Sequence, residues 1–286
     1  MLKIKAYAKI NMYLKVLGQR QDGYHDMNMI MQSVDLSDLL SFKRAEHIRV
    51  RCDDKRLANE QKNTAYRAAA AFFDYTGLKG GIDIKINKHI PLMAGLGGGS
   101  ADAAATLLAL TKLYPNAVSP LELSAIGKMI GADVPFSLSG GCKRASGIGE
   151  NLQQEENNLD CFYLIVKPRG GVSTKEAFKL FDKEAARRET DIEKCLWAMR
   201  TGNLEQFSKY TANSLEDAAK KLCPEIGEIL DRLRPLAEAC FMTGSGSSVV
   251  GLFSKRRRAK AAGKALEDIA AFSAVARSVD VGLKIV

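Results

Sequence analysis

A glycine-rich run leading into an alanine-rich segment is the part of this sequence whose residue types most directly suggest chemistry. Glycine lets a backbone approach a bulky anion and adopt a positive φ without a clash at Cβ. A helix that begins at the end of such a run presents unpaired N–H groups and the positive end of its dipole. The sequence therefore predicts a phosphate-binding loop, made of Pro91, Leu92, Met93, Ala94, Gly95, Leu96, Gly97, Gly98, Gly99, Ser100 and Ala101.

The run matches neither of two common phosphate-binding motifs. No Gly-Lys-Ser/Thr follows it, which excludes a P-loop, and Ser100 stands where the dinucleotide fingerprint counted from Gly95 would have its last glycine. A flexible turn ahead of a buried helix is the alternative interpretation. A strand pattern before the run and a helix pattern after it favour the phosphate-binding loop.

Lys9 and Asn11 lie among apolar neighbours on a predicted strand. An ammonium group in such surroundings needs a partner. A lysine at a strand edge, with a packed stem and a solvated head, is the alternative interpretation. Because strand side chains alternate between faces, Lys9 and Asn11 share a face and can contact the same ligand.

Asp133 follows a predicted helix and precedes Val134 and Pro135. A carboxylate held on a rigid turn can act as a general base. An aspartate at such a place can also satisfy an N–H group of the turn itself, and the spacing of the residues leaves both roles open.

The elements that must position these residues follow from hydrophobic periodicity and from turn residues. Alternating apolar residues predict strands at 2–6, 10–17, 48–52, 82–86, 162–167 and 249–253, with a last strand region at 278–286. Helical spacing predicts helices at 64–75, 100–114, 120–130, 173–181 and 255–269, with further helical segments before residue 236. Ser100 is the predicted N-cap of the second helix.

This mixture of elements predicts an α+β fold, since hairpin-like stretches near the start argue against a purely parallel sheet. Residues 147–158 change from glycine-rich to polar, which is the best candidate for a domain boundary. We therefore expect two α+β domains, 1–152 and 153–286, with the active site in the cleft between them.

Composition narrows the class of protein. Of 286 residues 46% are hydrophobic and 26% are charged, as in ordinary globular proteins. The six cysteines lie far apart, so neither a zinc site nor a disulfide framework is predicted. No apolar stretch approaches the length of a membrane span and the first residues do not resemble a signal peptide, so a cytoplasmic protein is expected.

The net charge of +9 suggests anionic partners, either nucleic acid or phosphorylated metabolites. The basic run at 255–258 precedes an alanine-rich helix and is interpreted as a solvated helix start. Because the positive charge is spread over both halves without an interleaved basic and aromatic strip, a phosphorylated small molecule is favoured over nucleic acid.

Three separated motifs, at 8–14, 91–104 and 243–247, resemble those of the GHMP kinases, a family named for galactokinase, homoserine kinase, mevalonate kinase and phosphomevalonate kinase. Asp22-Gly23-Tyr24-His25 and the motif at 131–135 resemble the branch that acts on a diphosphocytidyl-methylerythritol. The resemblance implies a first domain like a ribosomal-protein fold and an α/β second domain. It also implies transfer of the ATP γ-phosphate to the C2 hydroxyl of that substrate, in a route to isoprenoid precursors.

The resemblance assigns roles to residues. It implies that Asp133 is the base for the hydroxyl proton and that Lys9 is its charge partner. The glycine loop would hold the phosphates of ATP, and Asn63 would lie near the adenine, although a polar residue at a helix start explains Asn63 as well. Mg²⁺ would be carried with ATP, and no protein metal ligand is assigned.

For the second substrate, the resemblance implies that Tyr24 and His25 grip the cytosine by stacking and hydrogen bonding. Phe178 is a second stacking candidate that helical spacing would equally place in the core. Asn11, Gly244, Ser245 and Asp133 complete the predicted substrate contacts. The expected partners are ATP and this small molecule, with no nucleic acid and no membrane, in a monomer or weak dimer.

The sequence departs from the family pattern at Ala101, where many members carry a second serine. Asp102, which the predicted helix start places in the first turn, suits the helix dipole but not the neighbourhood of bare phosphates. Two other functions are weighed: another GHMP kinase acting on homoserine or a mevalonate derivative, and a basic nucleic-acid-binding protein. The Asp22 to His25 motif and the joint presence of Lys9 and Asp133 disfavour the first, and the spread of positive charge over both halves disfavours the second.

Overall fold

The computed structural model describes residues 1–57, 60–183 and 190–286. Its strands are β1 (Leu2–Gln19), β2 (His25–Ala45), β3 (Arg49–Cys52), β4 (Gly81–Asn87), β5 (Cys142–Gly147), β6 (Asn151–Gln154), β7 (Phe162–Pro168), β8 (Ala239–Met242), β9 (Val249–Phe253), β10 (Ala270–Ala276) and β11 (Leu283–Ile285). They form two sheets. The first has the order β11-β1-β2-β4-β3, with β5 beside β2 and β6 beside β5, and the second has the order β10-β7-β9-β8.

The helices are α1 (Thr64–Thr76), α2 (Gly98–Leu113), α3 (Pro120–Ile130), α4 (Val134–Ser139), α5 (Thr174–Lys183), α6 (Ile192–Arg200), α7 (Leu204–Tyr210), α8 (Glu216–Leu222), α9 (Glu225–Leu233) and α10 (Arg256–Lys264). Short 3-10 turns lie at Lys55–Leu57 and Glu60–Lys62. Within the described residues, every helix is too short or too polar to cross a membrane. The predicted mixed α+β class is confirmed.

The long hairpin of β1 and β2 forms the centre of the first sheet. The two strands predicted at 2–6 and 10–17 are one continuous strand, whose pairing with β2 shifts register between Tyr7 and Ala8 and between Asn11 and Tyr13. Such bulges break the alternation that sequence reading relies on. Strand β2 was not predicted, because residues 29–34 are all buried and therefore show no alternation.

Helix α2 begins two residues before its predicted N-cap. Gly97, with φ of 69°, is the capping residue, so Gly98 and Gly99 are already helical and Ser100 is the third residue of the helix. A left-handed residue at this point is accessible to glycine. The prediction of Ser100 as the N-cap was wrong, and the last four residues of the expected loop form the first turn of α2.

In the second sheet, all neighbouring strands are antiparallel. The helix predicted at 255–269 is shorter and ends at Lys264, and β10 was not predicted. The alanine-rich composition shared by α10 and β10 suits a helix, but β10 gains its hydrogen bonds by pairing with β7.

Both sheets contribute to one buried cluster, in which Ile10 and Tyr13 of β1 join Tyr163 and Phe241 of the second sheet. The proposed division at 152/153 falls inside β6, and β11 returns to the first sheet beside β1. A shared core of this kind holds β1, which carries Lys9, in a fixed position relative to the second sheet.

Candidate active site

A cleft of about 1200 Å³ brings together residues from both halves of the sequence. Its walls come from β1, the turn before β2, the glycine loop, the start of α4, α5 and the loop after β8. The predicted site residues that line it are Lys9, Asn11, Tyr24, His25, Met93, Gly95, Gly97, Ser100, Asp133, Phe178, Gly244 and Ser245.

Lys9 lies on β1 in the middle of the first sheet, and its side chain is only 8% exposed. Its Nζ donates a hydrogen bond to Asn11 Oδ1 at 2.6 Å and lies 3.4 Å from Asp133 Oδ2. The interpretation of Lys9 as a strand-edge lysine with a solvated head is therefore wrong. Asn11 shares the face of Lys9, as the strand period predicted, and its backbone N–H donates to Thr243 Oγ1 at 2.7 Å.

Asp133 precedes α4, and its carboxylate makes no capping hydrogen bond to that helix. The side chain is 31% exposed to the cleft, with Lys9 as its ionic partner. The local-turn role that spacing left open is thus not the one observed. A carboxylate placed beside a buried ammonium and open to a cleft can accept a proton from a bound hydroxyl.

The glycine loop is pressed against β1 and against the loop at 243–248. Leu96 O accepts a hydrogen bond from Lys9 N at 3.0 Å. A Cβ on Gly97 would stand 2.9 Å from Lys9 Cγ, and one on Gly95 would stand 2.5 Å from Thr243 O. Both residues also have a positive φ, so glycine is required at each for space and for conformation.

The glycine loop ends in the first turn of α2, which lies at the cleft. The N–H groups of this turn have no partner within the helix. Ser100 lines the cleft in that turn. Thr64 Oγ1 fixes the turn by donating to Gly99 O at 2.7 Å. This geometry suits an anion.

Other predicted nucleotide-binding residues lie away from the cleft surface. Ala94, Leu96 and Ala101 are buried in the core. Asn63 Oδ1 accepts from Ala65 N at 2.9 Å and caps α1, so the helix-start interpretation is confirmed, while its contact with adenine stays a prediction.

The loop at 243–248 joins β8 and β9, and it is tightly packed. Thr243, Ser247 and Ser248 are buried, and Ser248 N donates to Ala94 O at 3.3 Å. Gly244, Ser245 and Gly246 of this loop line the cleft.

At the far end of the cleft, three of the predicted residues form an aromatic group. The ring of His25 stacks on that of Phe178, with centroids 4.5 Å apart and planes at 21°. Tyr24 is 61% exposed on the turn before β2. Phe178 packs partly on the core, as helical spacing predicted, and also lines the cleft, while its stacking on a cytosine stays a prediction.

Sequence reasoning missed three charged residues of α5 that line the cleft, Lys175, Lys179 and Asp182. His25 Nε2 lies 2.8 Å from Asp182 Oδ1. The spacing of the two lysines, four residues apart on a predicted helix that also carries Phe178, could have indicated the first two. Asp182 follows the predicted end of that helix and gave no comparable signal.

Asp102 is not in the first turn of α2 and does not line the cleft. Its side chain is 2% exposed, and Lys88 Nζ donates to its Oδ2 at 2.8 Å. Burial raises the pKa of this carboxyl to about 7, against the opposing effect of Lys88. Among the residues that the structure describes, no three His, Cys, Asp or Glu side chains are grouped to hold a metal.

Two family models match the chain. The model for the GHMP kinases N terminal domain matches residues 63–141, and the model for the GHMP kinases C terminal region matches residues 195–270. Together they cover more than half of the sequence.

Curated relatives match over nearly the full length. A protein of Caldanaerobacter subterraneus named 4-diphosphocytidyl-2-C-methyl-D-erythritol kinase is 39% identical, with 99% of each chain covered. A protein of Carboxydothermus hydrogenoformans with the same name is 42% identical, with 90% of each chain covered.

Solved structures show the same fold. A crystal structure of 4-(cytidine 5'-diphospho)-2C-methyl-D-erythritol kinase superposes with a TM-score of 0.80 at 33% identity, covering 96% of this chain and 98% of the other. A homoserine kinase from Cytophaga hutchinsonii has a TM-score of 0.76 at 18% identity, covering 100% and 97%, and it shows the fold alone. By the family models, the full-length relatives and the shared fold, this chain belongs to the GHMP kinase family.

Proposed function

We propose that this protein transfers the γ-phosphate of ATP to the C2 hydroxyl of 4-diphosphocytidyl-2-C-methyl-D-erythritol. The observation that carries the proposal is one cleft with a phosphate-binding loop at one end, an aromatic group at the other, and Lys9 and Asp133 between them. The names of relatives about 40% identical over the full length agree with it. The product would feed isoprenoid precursor synthesis.

In the proposed reaction, the C2 oxygen attacks the γ-phosphorus of ATP. The new bond joins that oxygen to phosphorus, the bond from phosphorus to the β,γ-bridging oxygen breaks, and ADP leaves with the electron pair. The hydroxyl proton passes to the Asp133 carboxylate. Asp133 suits this role because its carboxylate faces the cleft and is not used as a helix cap.

Lys9 would act on both the Asp133 carboxylate and the transferring phosphoryl group. Its ammonium group, 3.4 Å from Asp133 Oδ2, favours the ionised carboxylate before the transfer. The same charge offsets the negative charge that develops on the transferring group. Asn11 holds the Lys9 side chain in place through its 2.6 Å hydrogen bond.

The first turn of α2 would bind the ATP phosphates through its free N–H groups, with Ser100 beside them. The loop at 243–248 would close the same end of the cleft with Gly244 and Ser245. Mg²⁺ would arrive with ATP, held by phosphate oxygens and water, and it would supply charge neutralisation.

The cytosine would stack on the exposed ring of Tyr24 and on the half-buried ring of Phe178, with His25 at its edge. Lys175 and Lys179, one helical turn apart on α5, would place positive charge beside the diphosphate. A cytoplasmic location and a monomeric or weakly dimeric state remain expectations that accompany this proposal.

A coupled assay of ADP release tests the proposal with three acceptors, the diphosphocytidyl substrate, homoserine and mevalonate. We expect turnover with the first and only background rates with the others. Faster turnover of homoserine or mevalonate would contradict the substrate assignment. ATP-independent, salt-sensitive RNA binding without any turnover would support the nucleic-acid alternative instead.

A further inference from the structure

Beneath the first turn of α2 lies a buried charge cluster that the proposed reaction does not use. Lys88 Nζ donates to Asp38 Oδ2 at 2.5 Å and to Asp102 Oδ2 at 2.8 Å. All three side chains are at least 95% buried. Buried charges of this kind are strongly unfavourable unless each is paired, so the three residues act as a unit.

The cluster joins the two ends of the glycine loop to the first sheet. Asp38, on β2, accepts hydrogen bonds from His89 N at 2.6 Å and Ile90 N at 2.9 Å, just before the loop begins. Asp102 is the fifth residue of α2, just after the loop ends. Lys88 connects the two carboxylates, so the loop is fixed on both sides.

The ammonium group of Lys88 also lies directly against the phosphate-binding turn. A Cβ on Gly98 would stand 3.4 Å from Lys88 Nζ. Lys88 thus packs beside the first residue of α2, and the charge around Lys88 acts on any anion bound at that turn.

The charges of the cluster do not balance when both carboxylates are ionised. One ammonium then faces two carboxylates, and Asp102 Oδ1 is a buried oxygen without a hydrogen-bond partner among the described residues. An unpartnered, buried carboxylate oxygen favours the protonated acid. Consistently, burial and Asp38 raise the Asp102 pKa to about 7, and the two carboxylates keep Lys88 charged by raising its pKa.

Other titratable groups near Asp102 do not compensate for its charge. The Cys52 thiol has a raised pKa because it is buried, so it is neutral near pH 7. Asp53 accepts a hydrogen bond from Lys88 N, and the exposed His89 contributes its backbone N–H to Asp38.

We propose that Asp38 and Asp102 are positioning residues which, through Lys88, hold the first turn of α2 in its phosphate-binding geometry, and that the charge on Asp102 sets how strongly this turn holds ATP. The inference rests on the proposed binding of ATP at the glycine loop. It does not depend on which hydroxyl receives the phosphate.

Equilibrium binding of ATP with Mg²⁺, without acceptor, tests the inference between pH 6 and pH 8.5 for the natural protein and for Asp102→Asn. The amide keeps the shape of the carboxyl but carries no charge. We expect the two proteins to bind ATP equally at pH 6, and the natural protein to bind about threefold more weakly at pH 8.5, as for one added negative charge that acts on ATP without touching it. The ionisation of ATP affects both proteins equally, so it cancels in the ratio of their two dissociation constants.

Asp74→Asn is the matched control, because Asp74 is an exposed carboxylate on α1, and it should keep the pH profile of the natural protein. If Asp102→Asn does not fold, Asp102→Ser, which is also neutral, should show the same loss of pH dependence. If the ratio of the ATP dissociation constants of the natural protein and Asp102→Asn stays constant with pH, the inference is overturned. Equal weakening of ATP and acceptor binding in a direct titration would also overturn it, since a general loosening of the fold would explain that result.

If ATP binding follows the expected profile but the diphosphocytidyl substrate is not phosphorylated, the inference stands and the proposed acceptor is wrong. If the acceptor is phosphorylated but ATP binding is independent of Asp102, the proposed function stands and the inference fails.

Discussion

Lys9 Nζ and Asp133 Oδ2 lie 3.4 Å apart, although one residue is on the central strand β1 and the other precedes the short helix α4. The ammonium group is buried, while the carboxylate opens into the cleft. This difference in exposure suits the two proposed roles: the residue proposed to touch a substrate hydroxyl is accessible, and the residue proposed to supply charge is shielded from water, where its effect is larger.

Replacing Asp133 by asparagine should lower kcat by about 10³, the usual range for loss of a general base. The KM for ATP should change little, because the loss is confined to the transition state. Steady-state kinetics with both substrates measure this. Near-normal turnover would remove Asp133 from the base role.

Replacing Lys9 by methionine keeps the packed stem and removes the charge. We expect kcat to fall by at least about 10², as for loss of one electrostatic contact to the transition state. The melting temperature should change by only a few degrees, since Asp133 is partly open to water. Lys9→Arg should not restore the rate, because the stem of Lys9 lies against Gly97, and recovery would argue that charge alone suffices.

Gly97→Ala should destabilise the protein by about 1–2 kcal/mol, because an L-residue in a left-handed conformation is strained. Its Cβ would also push on Lys9 Cγ, so kcat should fall together with stability. Gly227→Ala in α9 is the control, since a Cβ there lies 3.9 Å from its nearest neighbour and its φ is not positive. Chemical denaturation and steady-state kinetics of both variants test this prediction. Equal losses of stability and of kcat in the two variants would contradict it.

Asp182→Ala should raise the KM for the diphosphocytidyl substrate by about tenfold and leave the KM for ATP unchanged, since a hydrogen bond to a charged group contributes about 1.5–3 kcal/mol. The carboxylate accepts from His25 Nε2–H and orients the ring that stacks on Phe178. Glu176→Ala, on the same helix but exposed, is the control. A rise in both KM values would show that α5 had been disturbed as a whole.

Asp102→Asn should stabilise the protein more at pH 8 than at pH 5. The Asp102 pKa is raised from 3.8 to about 7 in the folded protein, so the natural protein loses stability as pH rises between these values. The amide has no proton to lose and removes this dependence. Urea unfolding at several pH values measures it, and parallel pH curves for the two proteins would contradict the assignment.

The parts of the candidate site that depend only on local backbone preferences could be predicted from the sequence. The glycine run, the pairing of Lys9 with Asn11 on one strand face, and the helix ends at Gly77 and Pro120 all follow from backbone preferences and the strand period. These features need no knowledge of distant contacts. Asp133 and the residues of the aromatic group came from the family resemblance, because their spacing alone left other roles open.

Features that depend on distant contacts could not be predicted. Residues 29–34 of β2 are buried on both faces because other elements cover them, which removes the alternation of a strand. Asp182 reaches His25 from 157 positions away, and Asp102 was assigned to the first turn because the helix start was placed at Ser100. The missed contact depends on how the end of α5 lies against the start of β2, and the error at Asp102 came from placing the start of α2 too late.

The contact between Gly95 and the loop at 243–248 restricts how substrates can enter. Backbone meets backbone there with no room for a side chain, so the phosphate end of the cleft cannot widen without separating main chains. At the other end, the turn at 21–24 and α5 meet through side chains, His25 with Phe178 and Asp182. Main-chain contacts therefore fix the cleft at the end of the glycine loop, whereas side-chain contacts hold it at the end of the aromatic group.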